Sequence, residues 1–222
     1  KMEKLIIYGN GKISKIIYHF LKKQFKVIAF TVDSKFIKEK SIYKLPVIAF
    51  ENIENFCDPN VNNLIIAIGY INMNSVREQK YFEAKQKGFN FINYIHPSVE
   101  IHDNFQIGEN NVILDQVSIQ PYSKIGNSNF IWSNAVLGHG TCIENTNWIA
   151  SNATISGDTI IKSKCFIGVN STIGHNITIE RENFIGAHTL VTKNTKINEV
   201  YISKEGDKFR LDSKRFLLFS KV

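Results

Sequence analysis

The sequence is poor in cysteine and in long apolar runs, and each shortage argues against a class of protein. The 222 residues include only three cysteines, Cys57, Cys142 and Cys165. Their number is odd and no pair has the spacing of metal ligands, so we expect neither a disulfide framework nor a cysteine metal site. Reduced thiols predict a cytoplasmic protein. No apolar run reaches the roughly 18 residues of a membrane span, and residues 5–8 are too short for a signal peptide.

The charge is moderately positive, with 27 Lys and Arg against 20 Asp and Glu, a formal net charge of +7. Scattered basic residues are typical of a solvated surface. They also suit polyanionic ligands such as coenzyme A or a sugar diphosphate. We expect no nucleic-acid partner and no membrane insertion.

An aliphatic residue occupies every sixth position from Ile95 to Ile197, without a break. Small side chains often follow four residues later, and glycine often follows directly. A six-residue unit suits one short strand and one corner, and three units close a triangular coil that stacks on the next at about 4.8 Å. The pattern predicts a left-handed parallel β-helix of about six coils, an exception to the rule of right-handed crossovers.

The first 92 residues have a different pattern, in which short apolar strands alternate with helical segments. This alternation predicts a small Rossmann-like α/β domain with a parallel sheet. We therefore divide the chain into an α/β domain at 1–92, a β-helix at 93–199 and a C-terminal tail at 200–222. Apolar residues 216–219 in that tail suggest that it caps the last coil or packs on a neighbouring molecule.

Gly9-Asn10-Gly11 follows the first predicted strand and resembles half of a dinucleotide fingerprint. Ser14 stands where the third glycine would be, so an NAD site is disfavoured, although Asp33 ends the second strand as in ribose-binding folds. A nucleotide-sugar site is favoured, because glycines let the chain approach a phosphate and the following helix offers free amides. A plain strand-to-helix turn is the alternative.

Several short motifs occur together in one chain order. They are Ile7-Tyr8-Gly9-Asn10-Gly11, Asp33, Ala67-Ile68-Gly69, Ile95-His96-Pro97-Ser98, Leu137-Gly138-His139, Ile155-Ser156-Gly157, Phe166-Ile167-Gly168-Val169-Asn170 and Phe184-Ile185-Gly186-Ala187. This combination resembles the bacterial hexapeptide-repeat sugar acyltransferases, which include sialic-acid O-acetyltransferases and the bacillosamine-pathway nucleotide-sugar N-acetyltransferase. The resemblance extends from Lys4 to about Tyr201.

The resemblance implies a homotrimeric acetyltransferase that makes surface glycans such as lipopolysaccharide O-antigen, with His139 as catalytic base and no metal. It implies that acetyl-CoA lies in a groove between neighbouring β-helices. The implied coenzyme contacts are Trp148, Gly157, Gly168, Val169, Gly186 and Ala187. The implied contacts to a UDP-, dTDP- or GDP-linked sugar are Gly9, Asn10, Gly11, Lys12, Asp33, Ser34 and Gly69.

Two positions depart from the family pattern. An acid often follows the histidine in the bacillosamine-pathway relatives, whereas Gly140 does so here. Trp148 stands where those relatives have a second histidine. A base without an orienting acid suits an amine better than a hydroxyl, because an amine is already a fair nucleophile. We therefore expect N-acetylation of a dideoxy amino sugar, with the Gly157 amide as the oxyanion donor.

Three alternatives remain at this point. The first is O-acetylation of a sugar hydroxyl, and the second is a non-catalytic protein that only binds a sugar nucleotide. The third is a zinc lyase on the same scaffold, which we disfavour because His139 and His175 are two coils, or about 9.6 Å, apart. A catalytic zinc needs three ligands at about 2.0 Å.

Overall fold

The computed structural model describes residues 2–220, and its N-terminal part is a five-stranded sheet with two helices. The strands are β1 (Lys4–Tyr8), β2 (Lys26–Val32), β3 (Ser41–Ile42), β4 (Leu45–Ala49) and β5 (Asn63–Ile66). The helices are α1 (Lys12–Leu21) and α2 (Ser75–Gln86), with 3₁₀ turns at Ser34–Phe36 and Phe50–Asn55. The sheet order is β3-β4-β2-β1-β5, parallel except for the β3–β4 pair. The predicted small parallel α/β domain is confirmed.

The short strands of the β-helix form three parallel sheets, one on each side of a prism that spans residues 94–201. The sheet that faces the N-terminal domain, called the interdomain face, consists of β6 (Tyr94–Ile95), β8 (Val112–Ile113), β11 (Phe130–Ile131), β14 (Trp148–Ile149), β17 (Phe166–Ile167), β20 (Phe184–Ile185) and β22 (Val200–Tyr201). The second sheet is called the histidine face, because His139 follows one of its strands. It consists of β9 (Ser118–Ile119), β12 (Val136–Leu137), β15 (Thr154–Ile155), β18 (Thr172–Ile173) and β21 (Leu190–Val191). The third face consists of β7 (Gln106–Ile107), β10 (Lys124–Ile125), β13 (Cys142–Ile143), β16 (Ile160–Ile161) and β19 (Thr178–Ile179).

The repeat of six residues explains this prism. Leu137 pairs with Ile155, and Ile155 pairs with Ile173, so stacked partners are 18 residues apart. Their side chains are fully buried inside the coils and form one continuous apolar cluster. The small residues four positions later, such as Ala153, are buried beside them. The predicted left-handed parallel β-helix is confirmed.

The ladder is less regular at its two ends than the sequence predicts. Ile101 and Ile197 are 48% and 57% exposed, although both occupy positions of the repeat. In the last coil Ile185 pairs with Tyr201, which is 16 residues away rather than 18. The predicted unbroken register is therefore wrong at the last coil, where Tyr201 packs against the core while Ile197 remains exposed.

The glycines that follow the aliphatic positions suggest tight corners in the sequence, but they are not the residues that adopt the left-handed backbone of the corners. Left-handed backbone occurs two residues later, at corner residues such as Asn152 (φ 58°) and Lys164 (φ 66°). Gly168 has ordinary backbone angles, but a Cβ there would lie 2.6 Å from the carbonyl carbon of Gly186. Glycine is needed at residue 168 because neighbouring coils approach closely there, not because the corner requires a positive φ.

The N-terminal domain is fastened to the interdomain face by a buried arginine. Arg77 from α2 is fully buried and donates to the carbonyl oxygens of Ser128 and Asn147, both at 3.0 Å. Its guanidinium lies 5.1 Å from the ring centre of Phe130 and 5.8 Å from that of Trp148. Burial lowers the pKa of Arg77 to about 9, so the group keeps its charge at neutral pH. The contact therefore links the two halves of the chain.

The C-terminal segment leaves the prism after Tyr201 and ends in helix α3 (Ser213–Ser220). Phe216 packs on Phe209 at 5.4 Å between ring centres, but Leu218 is 83% exposed. The apolar residues therefore do not cap the last coil, and the last two residues of the predicted tail lie outside the described range. Within residues 2–220, no helix combines the length and apolar character needed to cross a membrane.

Candidate active site

His139, Gly157 and His175 form a column along one edge of the prism. Each is the second residue after a strand of the histidine face, and these strands stack in register. The His139 imidazole extends over Gly157, so that a Cβ on Gly157 would lie 2.5 Å from Nε2 and 2.6 Å from Cε1. The His139 side chain as a whole is 63% exposed. Glycine at residue 157 is what leaves room for it.

Asp158 lies between the two histidines of this column. Its Oδ2 is 3.7 Å from Nδ1 of His139 and 4.0 Å from Nε2 of His175. Both distances are within ion-pair range but too long for a hydrogen bond. The Asp158 amide donates to the His139 carbonyl oxygen at 2.8 Å, which fixes the two backbones one coil apart.

The presence of Asp158 corrects the expectation that His139 lacks an acid partner. Gly140 has a left-handed φ of 65°, and a Cβ there would collide with Oδ1 of Asp158. The carboxylate beside the imidazole thus comes from the next coil. The sequence contained this information, because residue 140 plus the 18-residue coil is residue 158.

The structure also corrects the argument that His139 and His175 are too far apart to share an ion. One ligand atom from each of His139, Asp158 and His175 lies within 4.8 Å of the others. The ring centres of His139 and His175 are 6.1 Å apart, less than the roughly 9.6 Å of two coil spacings. All three side chains are exposed, and a zinc ion bound at about 2.0–2.2 Å would require them to move closer together.

The predicted coenzyme contacts are divided between two edges of the prism. Gly168 and Val169 follow β17, and Gly186 and Ala187 follow β20, so all four lie at the end of the interdomain face. Val169 is 43% exposed, and Ala187 is also exposed. Gly157 instead follows β15 on the histidine face. Within one chain, His139 therefore does not share an edge with these four residues.

Trp148 does not fit the predicted role as a coenzyme contact. It is 5% exposed and stacks on Phe130 at 5.1 Å, with Tyr70 against its edge at 5.2 Å. Its position points outward from the interdomain face, where the N-terminal domain covers it. The side chain holds the two domains together and is closed to a coenzyme.

The predicted nucleotide-sugar residues gather at the carboxyl edge of the N-terminal sheet, because β2, β1 and β5 are adjacent there. Gly9 has φ 128°, and a Cβ would lie 2.8 Å from the carbonyl oxygen of Ala67, so only glycine fits. Gly11 precedes α1, and it and Lys12 are exposed. The Asn10 amide donates to the Phe36 carbonyl oxygen. Gly69 follows two residues after Ala67, and a Cβ at Gly69 would lie 3.9 Å from the side chain of Ile13.

Asp33 and Ser34 already have partners within the domain. Asp33 accepts a hydrogen bond from the Tyr8 hydroxyl at 2.7 Å and pairs with Lys80 at 2.8 Å. Burial raises the pKa of Asp33, but the hydrogen bonds from Lys80 and Tyr8 outweigh it, and the net pKa is lowered. The Ser34 amide and hydroxyl both donate to Glu51. A nucleotide would have to share these groups or displace their partners.

The stacked hexapeptide coils and the parallel α/β domain define a class, the two-domain proteins with a left-handed β-helix. Residues 4–84 match the family model of the PglD N-terminal domain. A histidine variant of perosamine N-acetyltransferase from Caulobacter crescentus, in complex with CoA and GDP-perosamine, is similar with a TM-score of 0.83 and 22% identity, over 93% of this chain and 99% of that one.

Two further structures share the fold. The acetyltransferase domain of PglB from Neisseria gonorrhoeae, in complex with acetyl coenzyme A, has a TM-score of 0.77 and 20% identity over 87% of this chain and 93% of that one. WeeI from Acinetobacter baumannii has a TM-score of 0.62 and 18% identity, over 89% and 95%. No curated protein matches the sequence significantly. The resemblance is thus confirmed for the fold and for the N-terminal domain.

Proposed function

We propose that this protein transfers the acetyl group of acetyl-CoA to the amine of a nucleotide-linked amino sugar, with His139 as general base. The observation that carries the proposal is an exposed imidazole seated on Gly157 with the Asp158 carboxylate beside it. The shared fold adds support, because similar proteins were crystallised with CoA, acetyl coenzyme A and GDP-perosamine.

The chemistry requires a proton acceptor and a donor to the oxyanion. The acceptor nitrogen attacks the thioester carbonyl carbon, and its proton passes to Nε2 of neutral His139. The tetrahedral oxyanion accepts a hydrogen bond from the Gly157 amide, which has no acceptor within residues 2–220. The intermediate collapses by breaking the carbon–sulfur bond, and the coenzyme thiolate takes the proton from His139.

The two ligands are assigned to different surfaces. The nucleotide diphosphate lies near Gly9, Gly11 and Lys12, where the first turn of α1 offers free backbone amides and Lys12 adds positive charge. Coenzyme A lies along Val169 and Ala187. A homotrimer would supply a complete site, since His139 of one prism can face the other edge of its neighbour.

The test is a thiol-release assay with acetyl-CoA and a panel of UDP-, dTDP- and GDP-linked amino sugars and their hydroxyl counterparts. We expect release with at least one amino sugar and a loss of about 10²–10⁴-fold in His139→Asn. His102→Asn, a change of the same chemistry at the start of the prism, controls for general damage. Turnover of hydroxyl sugars alone would favour O-acetylation, and binding without turnover would favour a scaffold protein.

A further inference from the structure

We infer that Asp158 is the positioning residue that orients His139 for proton transfer, a role that rests on the proposed function. The carboxylate belongs to the coil after His139, and its Oδ2 lies 3.7 Å from Nδ1 of the imidazole. The backbone bond between the Asp158 amide and the His139 carbonyl oxygen holds the two residues in register. Both side chains are exposed, and a hydrogen bond of about 2.9 Å needs the two atoms to approach by about 0.8 Å.

The two ring nitrogens of His139 have different surroundings. Nδ1 faces the Asp158 carboxylate, whereas Nε2 lies above Gly157, which has no side chain. A carboxylate at Nδ1 favours the tautomer that carries its proton there, and this leaves the lone pair of Nε2 free. It also stabilises the imidazolium that forms when Nε2 takes the proton of the acceptor amine.

Gly140 and Asp158 occupy complementary space. The Cβ direction of Gly140 points at Oδ1 of Asp158, so no side chain fits at residue 140 while that carboxylate is present. Conversely, an acid at residue 140 would occupy the place where the Asp158 carboxylate now lies. The left-handed φ of 65° at Gly140 is one that Asp tolerates better than most residues. One carboxylate, supplied from either coil, can therefore serve the imidazole.

His175 is the second neighbour of the same carboxylate oxygen, with its Nε2 4.0 Å from Oδ2 of Asp158. The carboxylate thus lies between two imidazoles. The same arrangement of two imidazoles and a carboxylate is compatible with a zinc ion. These two roles exclude each other, because an imidazole bound to a metal through Nε2 has no lone pair to accept a proton.

The kinetic test uses Asp158→Asn, which keeps the shape of the side chain and removes its charge. We expect kcat to fall by about 10²-fold or more, as for an acid that orients a catalytic histidine, with both KM values within about twofold. Asp103→Asn makes the same change at an exposed acid that lies 36 residues, or two coils, before His139, and it should retain the kcat of the wild type. Unchanged kcat in Asp158→Asn would overturn the inference.

A double variant that moves the carboxylate from residue 158 to residue 140 should restore activity. Asp158→Gly should lose activity as Asp158→Asn does, and adding Gly140→Asp should restore at least about tenfold, because the new carboxylate lies beside the imidazole. Gly140→Asp alone should lose activity through its collision with Asp158. A double variant that is folded by circular dichroism but no more active than Asp158→Gly would contradict the proposed geometry.

A measurement without substrate separates this inference from the proposed function. In protein with ¹⁵N-labelled histidine, NMR should show the His139 proton on Nδ1 in the wild type and a shift towards Nε2 in Asp158→Asn, with His139→Asn identifying the signal. The inference is wrong if the tautomer is the same in both. It is also wrong if EDTA abolishes activity and zinc restores it. If the tautomer shifts but no sugar in the panel is acetylated, the inference about Asp158 stands and only the proposed function is wrong.

Discussion

Replacing Gly157 by alanine tests whether the space beneath the imidazole matters. The added Cβ would lie 2.5 Å from Nε2, 2.6 Å from Cε1 and 2.9 Å from Cδ2 of His139. Ordinary contacts between such atoms are about 3.5–4.0 Å, so the ring must move by about 1 Å. Because a reacting group misplaced by about 1 Å can lose 10²-fold in rate, we expect kcat to fall by about two orders of magnitude.

Stability should respond differently from activity in Gly157→Ala. Gly157 does not have a left-handed φ, and the exposed ring can swing outward, so the fold should accept the methyl group. Such a substitution stabilises by about 0.4–1 kcal/mol through the unfolded chain, and the contact with His139 offsets part of this. Thiol release gives kcat and thermal unfolding gives Tm. Gly174→Ala is the control, because its Cβ would lie 3.3 Å from its nearest atoms, in Thr192 and Val191, a milder contact than the 2.5 Å at Gly157. A Gly157→Ala variant with full activity would show that His139 does not need the space above residue 157.

Three other predictions concern stability, each measured by urea unfolding. Ile155→Ala should cost about 2–5 kcal/mol and Ile197→Ala less than about 0.5 kcal/mol, because the first is buried and the second exposed. Arg77→Met should cost about 2–3 kcal/mol, since it leaves the Ser128 carbonyl oxygen without a donor and the Asn147 carbonyl oxygen with only the Phe130 amide. Asp33→Asn should be less stable than the wild type at neutral pH. The difference should shrink as the pH falls below the ordinary carboxyl pKa of 3.8 and vanish only below the folded pKa, which hydrogen bonds from Lys80 and Tyr8 hold lower still.

Each of these predictions has a result that would contradict it. Equal losses at Ile155 and Ile197 would mean that the last coil buries its isoleucine after all. Arg77→Met should be compared with Arg210→Met, an exposed site where no loss is expected. For Asp33, a stability difference that does not shrink at all as the pH falls below 3.8 would show that the ion pair with Lys80 is not its cause.

The six-residue repeat made the prism predictable, because every coil repeats the same burial. The repeat wrongly predicted that Ile197 would be buried. The final coil is two residues shorter than the others, and the aliphatic pattern gives no sign of this change. The candidate base was predictable as His139, but its acid partner was sought next in sequence. The partner is Asp158, since stacking makes a residue one coil away as close as a chain neighbour.

The interdomain contact could not be predicted from the repeat. Trp148 occupies an outward position like many others in the prism, and only the placement of the N-terminal domain decides that it is buried. In the same way, Asp33 occupies the position of a residue that binds ribose. However, Lys80, from a helix more than 40 residues along the chain, forms an ion pair with its carboxylate. The burial of Trp148 and the ion pair of Asp33 both depend on contacts between segments far apart in sequence, and the pattern of neighbouring residues does not predict such contacts.

The stacking of Asp158 on Gly140 restricts how the length of this chain can change. Deleting or inserting one residue between His139 and Asp158 would rotate the acid to a different position around the coil. A whole extra coil inserted there would carry the acid one layer, about 4.8 Å, out of reach. The same coil added beyond the column would leave the pair intact. Length variation should therefore be confined to the ends of the prism and to its corner loops elsewhere.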